Sequence, residues 1–159
     1  MVRKIIIAAA SGAVLALTTA AFAHPADKYI AKAMLMSAAA EVTFDSKQAF
    51  DTFNRGKGKY LNGMNGNIYV FCINAGDGKL VAMGNANAKD LLGQDIRTLK
   101  DESGHAFGQD IYAAGQKPEG EITEVSYEFE KPTDPKPAPK TSFVTRVDAD
   151  YACGVGYYK

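Results

Sequence analysis

Two short segments constrain what this chain can fold into. One is Asn67-Ile68-Tyr69-Val70-Phe71-Cys72-Ile73, which turns through Asn74-Ala75-Gly76-Asp77-Gly78 into Lys79-Leu80-Val81-Ala82-Met83. The other is Tyr151-Ala152-Cys153-Gly154-Val155-Gly156-Tyr157-Tyr158, at the far end. Both are aromatic and β-branched, the composition of strands, and an Asp-Gly between two such runs marks a hairpin. Each holds one of the chain's two cysteines. The sheet therefore opens and closes with cysteine-bearing strands, and whatever helices exist are inserted between or placed before them.

Residues 1–23 read as a signal peptide. Arg3 and Lys4 are followed by an apolar run and by Ala21-Phe22-Ala23, a small-x-small cleavage pattern. The run contains Ser11, Gly12, Thr18 and Thr19 and is too short and polar for a membrane span. Residues 24–159 then form one exported domain, placed in the periplasm or outside the cell, with 24–55 as a helical region and 67–159 as sheet and helices. Once Arg3 and Lys4 are gone, the balance of 18 basic against 18 acidic residues becomes slightly acidic. That leaves no electrostatic footprint for nucleic acid. In an oxidising compartment Cys72 and Cys153 are candidates for a disulfide, the alternative being two small buried hydrophobes. A bridge would close a loop of about eighty residues, a constraint worth up to ~4 kcal/mol.

Asp27 to Phe53 has helical spacing, with Tyr29, Ala33, Met36 and Ala40 on one stripe. A break is expected at residues 43–46, where Asp45 or Ser46 caps a second segment carrying Phe50 and Phe53. A glycine-rich loop follows. Phe107 and Ile111 mark a short helix. Thr123, Val125, Tyr127 and Phe129 alternate with Glu124, Ser126, Glu128 and Glu130 along a half-buried antiparallel strand. Pro132, Pro135, Pro137 and Pro139 are expected to build a protruding loop before a strand over 140–147. The fold class is α+β with an antiparallel sheet. If the cysteines pair, the five strands take the order 2-1-5-4-3.

Several short matches in order resemble the single Cache domain family, second subtype, a PAS-like extracellular sensor module. They are Ala49-Phe50-Asp51-Thr52-Phe53-Asn54, Ile68-Tyr69-Val70-Phe71, the Asp77-Gly78 turn, Leu92-Gly93-Gln94-Asp95, and Asp101-Glu102-Ser103-Gly104 with Phe107. Val125-Ser126-Tyr127-Glu128-Phe129, Pro139-Lys140-Thr141-Ser142-Phe143-Val144 and Gly154-Val155-Gly156-Tyr157-Tyr158 complete the series. The resemblance implies a long N-terminal helix on one sheet face and a small-ligand pocket beneath short helices on the other. Met83-Gly84 stands where the second strand of the family commonly ends in His-Pro. The family's signalling members continue into a membrane helix and an output module; the stop at Lys159 gives the expectation of a stand-alone form acting with a membrane receptor or kinase in trans.

The candidate ligand-binding residues are Lys140, Tyr127, Tyr69, Phe71 and His105. Lys140 at a strand start can hold a carboxylate by a charge-assisted hydrogen bond, or can solvate the end of a loop. Tyr127 offers a hydroxyl, and Tyr69 and Phe71 offer walls; each also serves as an ordinary core aromatic. His105 is placed near the pocket cap or on the surface at a helix start. Gly154 and Gly156, on one face of the last strand, are expected to admit close helix packing, the alternative being that they leave room for a ligand. Two histidines and singly scattered acids support no catalytic constellation, metal or cofactor. The expectation is a non-enzymatic binder of a small organic ligand, a short carboxylate; the other reading is an interaction module whose pocket has closed.

Overall fold

The computed structural model describes residues 25–62 and 66–159, so the leader segment expected at 1–23 lies outside the described residues. Helix α1 spans Pro25–Phe53. Asp45 breaks it with φ −155° and ψ 92°, and its side chain accepts from the Gln48 amide at 3.0 Å. This is the expected cap, reached three residues into the second segment. The helix buries Ala31, Met34, Leu35, Ala38 and Val42. The stripe of Tyr29, Ala33, Met36 and Ala40 is on the other side and exposed. Spacing alone identified a stripe, and the sheet took a different one.

The strands are β1 (Leu61–Asn62), β2 (Ile68–Asn74), β3 (Leu80–Met83), β4 (Ile122–Lys131), β5 (Asp134–Arg146) and β6 (Tyr151–Tyr158), with helix α2 at Phe107–Gly115 between β3 and β4. All pairings are antiparallel, and the path β3-β2-β6-β5-β4 is the expected 2-1-5-4-3. The two-residue β1, which the glycine-rich loop concealed, pairs with β2 beyond β3. Asn74 organises the β2–β3 turn by accepting from the Gly76 and Asp77 amides, and Gly78 closes it at φ 76°. That left-handed conformation favours glycine.

Cys72 and Cys153 face each other across β2 and β6 and form a disulfide. Strand alternation sends them, with Ile68, Val70, Phe143, Val155 and Tyr157, into the core beneath α1. The other face holds Tyr69, Phe71, Ile73, Tyr127 and Val144 under α2 and two 3-10 turns, Ala86–Leu91 and Ile96–Thr98.

The proline segment differs from expectation. Only Pro132 lies in the turn; Pro135, Pro137 and Pro139 are in β5, which pairs with β4 from Asp134 onward. The Pro139 carbonyl accepts from Lys159 on the β6 side. Pro137 and Pro139, two residues apart in the regular ladder, therefore remove donors only from the edge turned away from β4, while Pro135 falls where the register with β4 shifts. β6 ends at Tyr158, opposite Lys140, so Pro135 and Pro137 have no neighbour there to disappoint.

Candidate functional site

The site is built around Lys140, the first β5 residue after the prolines that has a strand on both sides. Its partners across the ladders are Tyr127 on β4 and Tyr158 on β6. Alternation points it, with Ser142 and Val144, to the α2 face. It is 2 % exposed, an unusual position for a lysine. Nζ donates to Tyr69 Oη at 2.6 Å. It also lies 4.0, 5.1, 5.3 and 5.8 Å from the ring centroids of Tyr69, Phe129, Tyr158 and Tyr127. Among the described residues no carboxylate pairs with it.

An ammonium in such a box loses its hydration and gains only π-faces and one hydroxyl, each worth on the order of 1–2 kcal/mol. Burial consequently pulls the Lys140 pKa down from 10.5 to about 7. Burial also pushes the phenols of Tyr69, Tyr127 and Tyr158 well above their ordinary range. They remain neutral hydroxyls, with Tyr127 Oη 2.8 Å from Ser142 Oγ and Tyr158 Oη donating to the Glu130 carbonyl at 2.6 Å. Tyr127 is held by Phe107 of α2, stacked at 4.3 Å and 4°, and Phe129 meets Phe107 edge-on at 5.9 Å.

The space beside Lys140 is small. A void of about 20 Å³ is lined by Tyr69, Phe71, Phe107, Tyr127, Phe129 and Lys140, among others. That is room for roughly one water. Outside it lies an open cleft of about 490 Å³ between the 3-10 turn Ala86–Leu91, residues 99–102 and the β4–β5 arm. Leu91, Leu99, Phe107 and Phe129 line both spaces and so form the wall between them.

Four of the five candidate residues thus converge: Lys140, Tyr127, Tyr69 and Phe71. The fifth does not. The His105 side chain is 42 % exposed, its Nε2 2.7 Å from Asp110 Oδ2 and its Nδ1 3.6 Å from Asp101 Oδ2. Asp101 also accepts from the Ser103 hydroxyl and the His105 amide, so the carboxylates turn the ring outward. The glycines of β6 leave room for the side chains of this site. They open onto the α2 face: a Cβ at Gly154 would enter the Phe71 ring, and one at Gly156 would meet Lys140 Cε. Gly156 is what gives the lysine tail its channel. Gly156→Ala is expected to fold yet displace the Lys140 side chain; a downfield-shifted lysine signal near neutral pH in heteronuclear NMR would be lost. An unchanged Lys140 signal would contradict that role.

Phe129, Tyr158 and Ser142 belong to the site and were not singled out from the sequence. Parity carried the signal for all three: Phe129 shares a face with Tyr127, Ser142 with Lys140, and Tyr158 with Gly154 and Gly156.

No curated protein matches the chain. Among solved structures it resembles a methyl-accepting chemotaxis protein from Vibrio parahaemolyticus RIMD 2210633, at 22 % identity over 84 % of this chain and 88 % of that one, with a TM-score of 0.64. It is similar to a Cache chemosensory domain studied for carboxylic acid recognition, at 22 % identity, 84 % and 93 % coverage and a TM-score of 0.65. The periplasmic sensor domain of a chemotaxis protein gives 18 %, 84 %, 90 % and 0.59. At these identities the likeness is one of fold. Cache domains are extracellular or periplasmic sensor domains, and no helix among the described residues is long and apolar enough to cross a membrane. The pattern of single Cache domain 2 matches residues 27–158, and the chain belongs to that family.

Proposed function

We propose that this domain binds a short carboxylate, with Lys140 on its charge and Tyr127 on an oxygen. The observation that carries the reading is a fully buried ammonium without an anion among the described residues. A ligand carboxylate supplies the missing charge in a low-dielectric site, where such a pair is strong. The Cache chemosensory domain with carboxylic acid recognition supports the ligand class. To enter, the ligand displaces the wall of Leu91, Leu99 and Phe129, and this movement of the 84–116 segment is the change a membrane receptor or kinase partner reads. Binding involves no catalytic step.

A second reading draws on a different observation: the void of about 20 Å³ is too small for even acetate. On that reading the pocket is permanently closed and the domain is an interaction module.

The two separate on pH. An anion binds the protonated lysine, so affinity is level below pH 7 and falls about tenfold per pH unit above it. Thermal-shift screening of the purified protein against short mono- and dicarboxylates at pH 6.0 and 8.5 is expected to show stabilisation, larger at pH 6.0. No stabilisation at either pH would leave the closed module as the reading.

A further inference from the structure

Among the described residues Lys140 is the one buried lysine. β2 brings Tyr69 to its amine, β4 brings Tyr127 and Phe129, and β6 brings Tyr158. The rest of the adjoining void is aliphatic and aromatic, with Leu80, Met83, Ile96 and Ile111 on its walls. A lysine kept only for packing has no reason to be here, because an apolar side chain of the same volume fills the space without a charge to desolvate. What the lysine adds is a reactive nitrogen. In such surroundings the amine is partly unprotonated at neutral pH, as its fall to about 7 expresses. A desolvated amine with a free lone pair is a nucleophile toward carbonyl carbon.

We infer that Lys140 captures a short 2-oxo acid covalently, as an imine between Nζ and the carbonyl carbon. This rests on the carboxylate reading above and narrows it to acids that carry a carbonyl beside the carboxylate. The Nζ lone pair adds to the carbonyl carbon, the C=O π electrons move to oxygen, and one N–H proton passes to that oxygen. The C–O bond then breaks, the hydroxyl leaves as water with the remaining N–H proton, and a C=N bond forms. Nothing is oxidised or reduced. Tyr69 Oη, 2.6 Å from Nζ, is placed to accept a proton from nitrogen while passing its own to the oxygen. The phenol stays neutral throughout, as its burial demands. One proton from solvent turns the imine into an iminium, which keeps a positive charge at the same atom. The carboxylate one carbon away therefore stays paired, and the acid gains a bond that a plain carboxylate lacks. The apolar walls keep out the bulk water that would hydrolyse the adduct.

Reductive trapping tests the assignment: the purified protein is incubated with pyruvate and cyanoborohydride at neutral pH and mapped by peptide mass spectrometry. The expected result is an N-(1-carboxyethyl) group on Lys140, formed about tenfold or more above the level at any exposed lysine. Lys131 is the internal control, a half-buried amine 5.6 Å from the Tyr158 ring. Excess acetate is expected to suppress the label, and Lys140→Met to remove it. Pyruvate that stabilises the protein in a thermal-shift assay without marking Lys140 overturns the covalent step and leaves the carboxylate reading in place. Label spread evenly over the exposed lysines overturns the covalent step as well. No label, with no stabilisation by pyruvate or acetate, overturns both.

Discussion

Lys140→Met is expected to make the protein more stable at pH 6, while abolishing stabilisation by carboxylates. Methionine fills a similar volume without a charge to desolvate. At about 1.4 kcal/mol per pH unit, the drop from 10.5 to about 7 amounts to on the order of 5 kcal/mol of unfavourable burial. Loss of the Tyr69 hydrogen bond and the ring contacts offsets roughly half of this, leaving a net gain of about 2–3 kcal/mol. The pH dependence carries the sharper signature. The unfolded lysine holds its proton up to 10.5 and the folded one releases it near 7. Between those values the unfolded state binds more protons, so wild-type stability rises with pH across the window and the advantage of the variant shrinks. Below pH 7 both states are protonated and the penalty is fully present. Urea denaturation at pH 6, 7, 8 and 9 on both proteins measures it. Parallel stability curves would mean that Lys140 is not desolvated as described.

The second large effect belongs to the disulfide. Cys72 and Cys153 lie 81 residues apart in sequence and opposite each other in register. Closing so long a loop in the unfolded chain is worth about 4 kcal/mol in the chain-entropy account. Both cysteines are buried beneath α1, so replacement by two alanines leaves no unpaired thiol and little polar disturbance. Cys72→Ala/Cys153→Ala is expected to lose about 4 kcal/mol and to melt roughly 10 °C lower. Reduction of the wild type with a thiol reagent under denaturing conditions is expected to give the same midpoint. If the alanine variant melts with the oxidised wild type, the cross-link contributes nothing to stability.

The strand order was legible because its information is local, with one exception. Asn74 to Gly78 and Asp148 to Asp150 specify turns, and those fix which strands are consecutive neighbours. The contact between β2 and β6 is non-local, and the cysteine pair stood in for it. Asp45 was legible as a cap for the same local reason. The site was legible only in part. Lys140 and Tyr127 were found, but the reason the lysine matters is a box assembled from β2, β4, β5 and β6, and no local pattern announces it. For His105 the choice between pocket cap and surface stayed open, because the two aspartates that hold its ring outward act through a loop conformation. Gly154 and Gly156 were read as sharing a face, but alternation does not say which side of the sheet that face is on. The same ambiguity left open which stripe of α1 the sheet takes.

The alternate prolines of β5 have a consequence for how this protein tolerates change. An arm that runs past the end of its neighbouring strand offers an open edge to any other chain, the usual start of edge-to-edge aggregation. Here that edge displays carbonyls with few amides to match them, so an incoming strand finds half of its ladder missing. The protection depends on parity. Deleting Ala138 would swing Pro137 onto the edge facing β4, breaking the ladder there and uncovering donors on the free side. Deleting a two-residue step would keep the pattern. Length variation in this arm is therefore expected to be tolerated in even steps only, and odd-step variants to be recovered as aggregates.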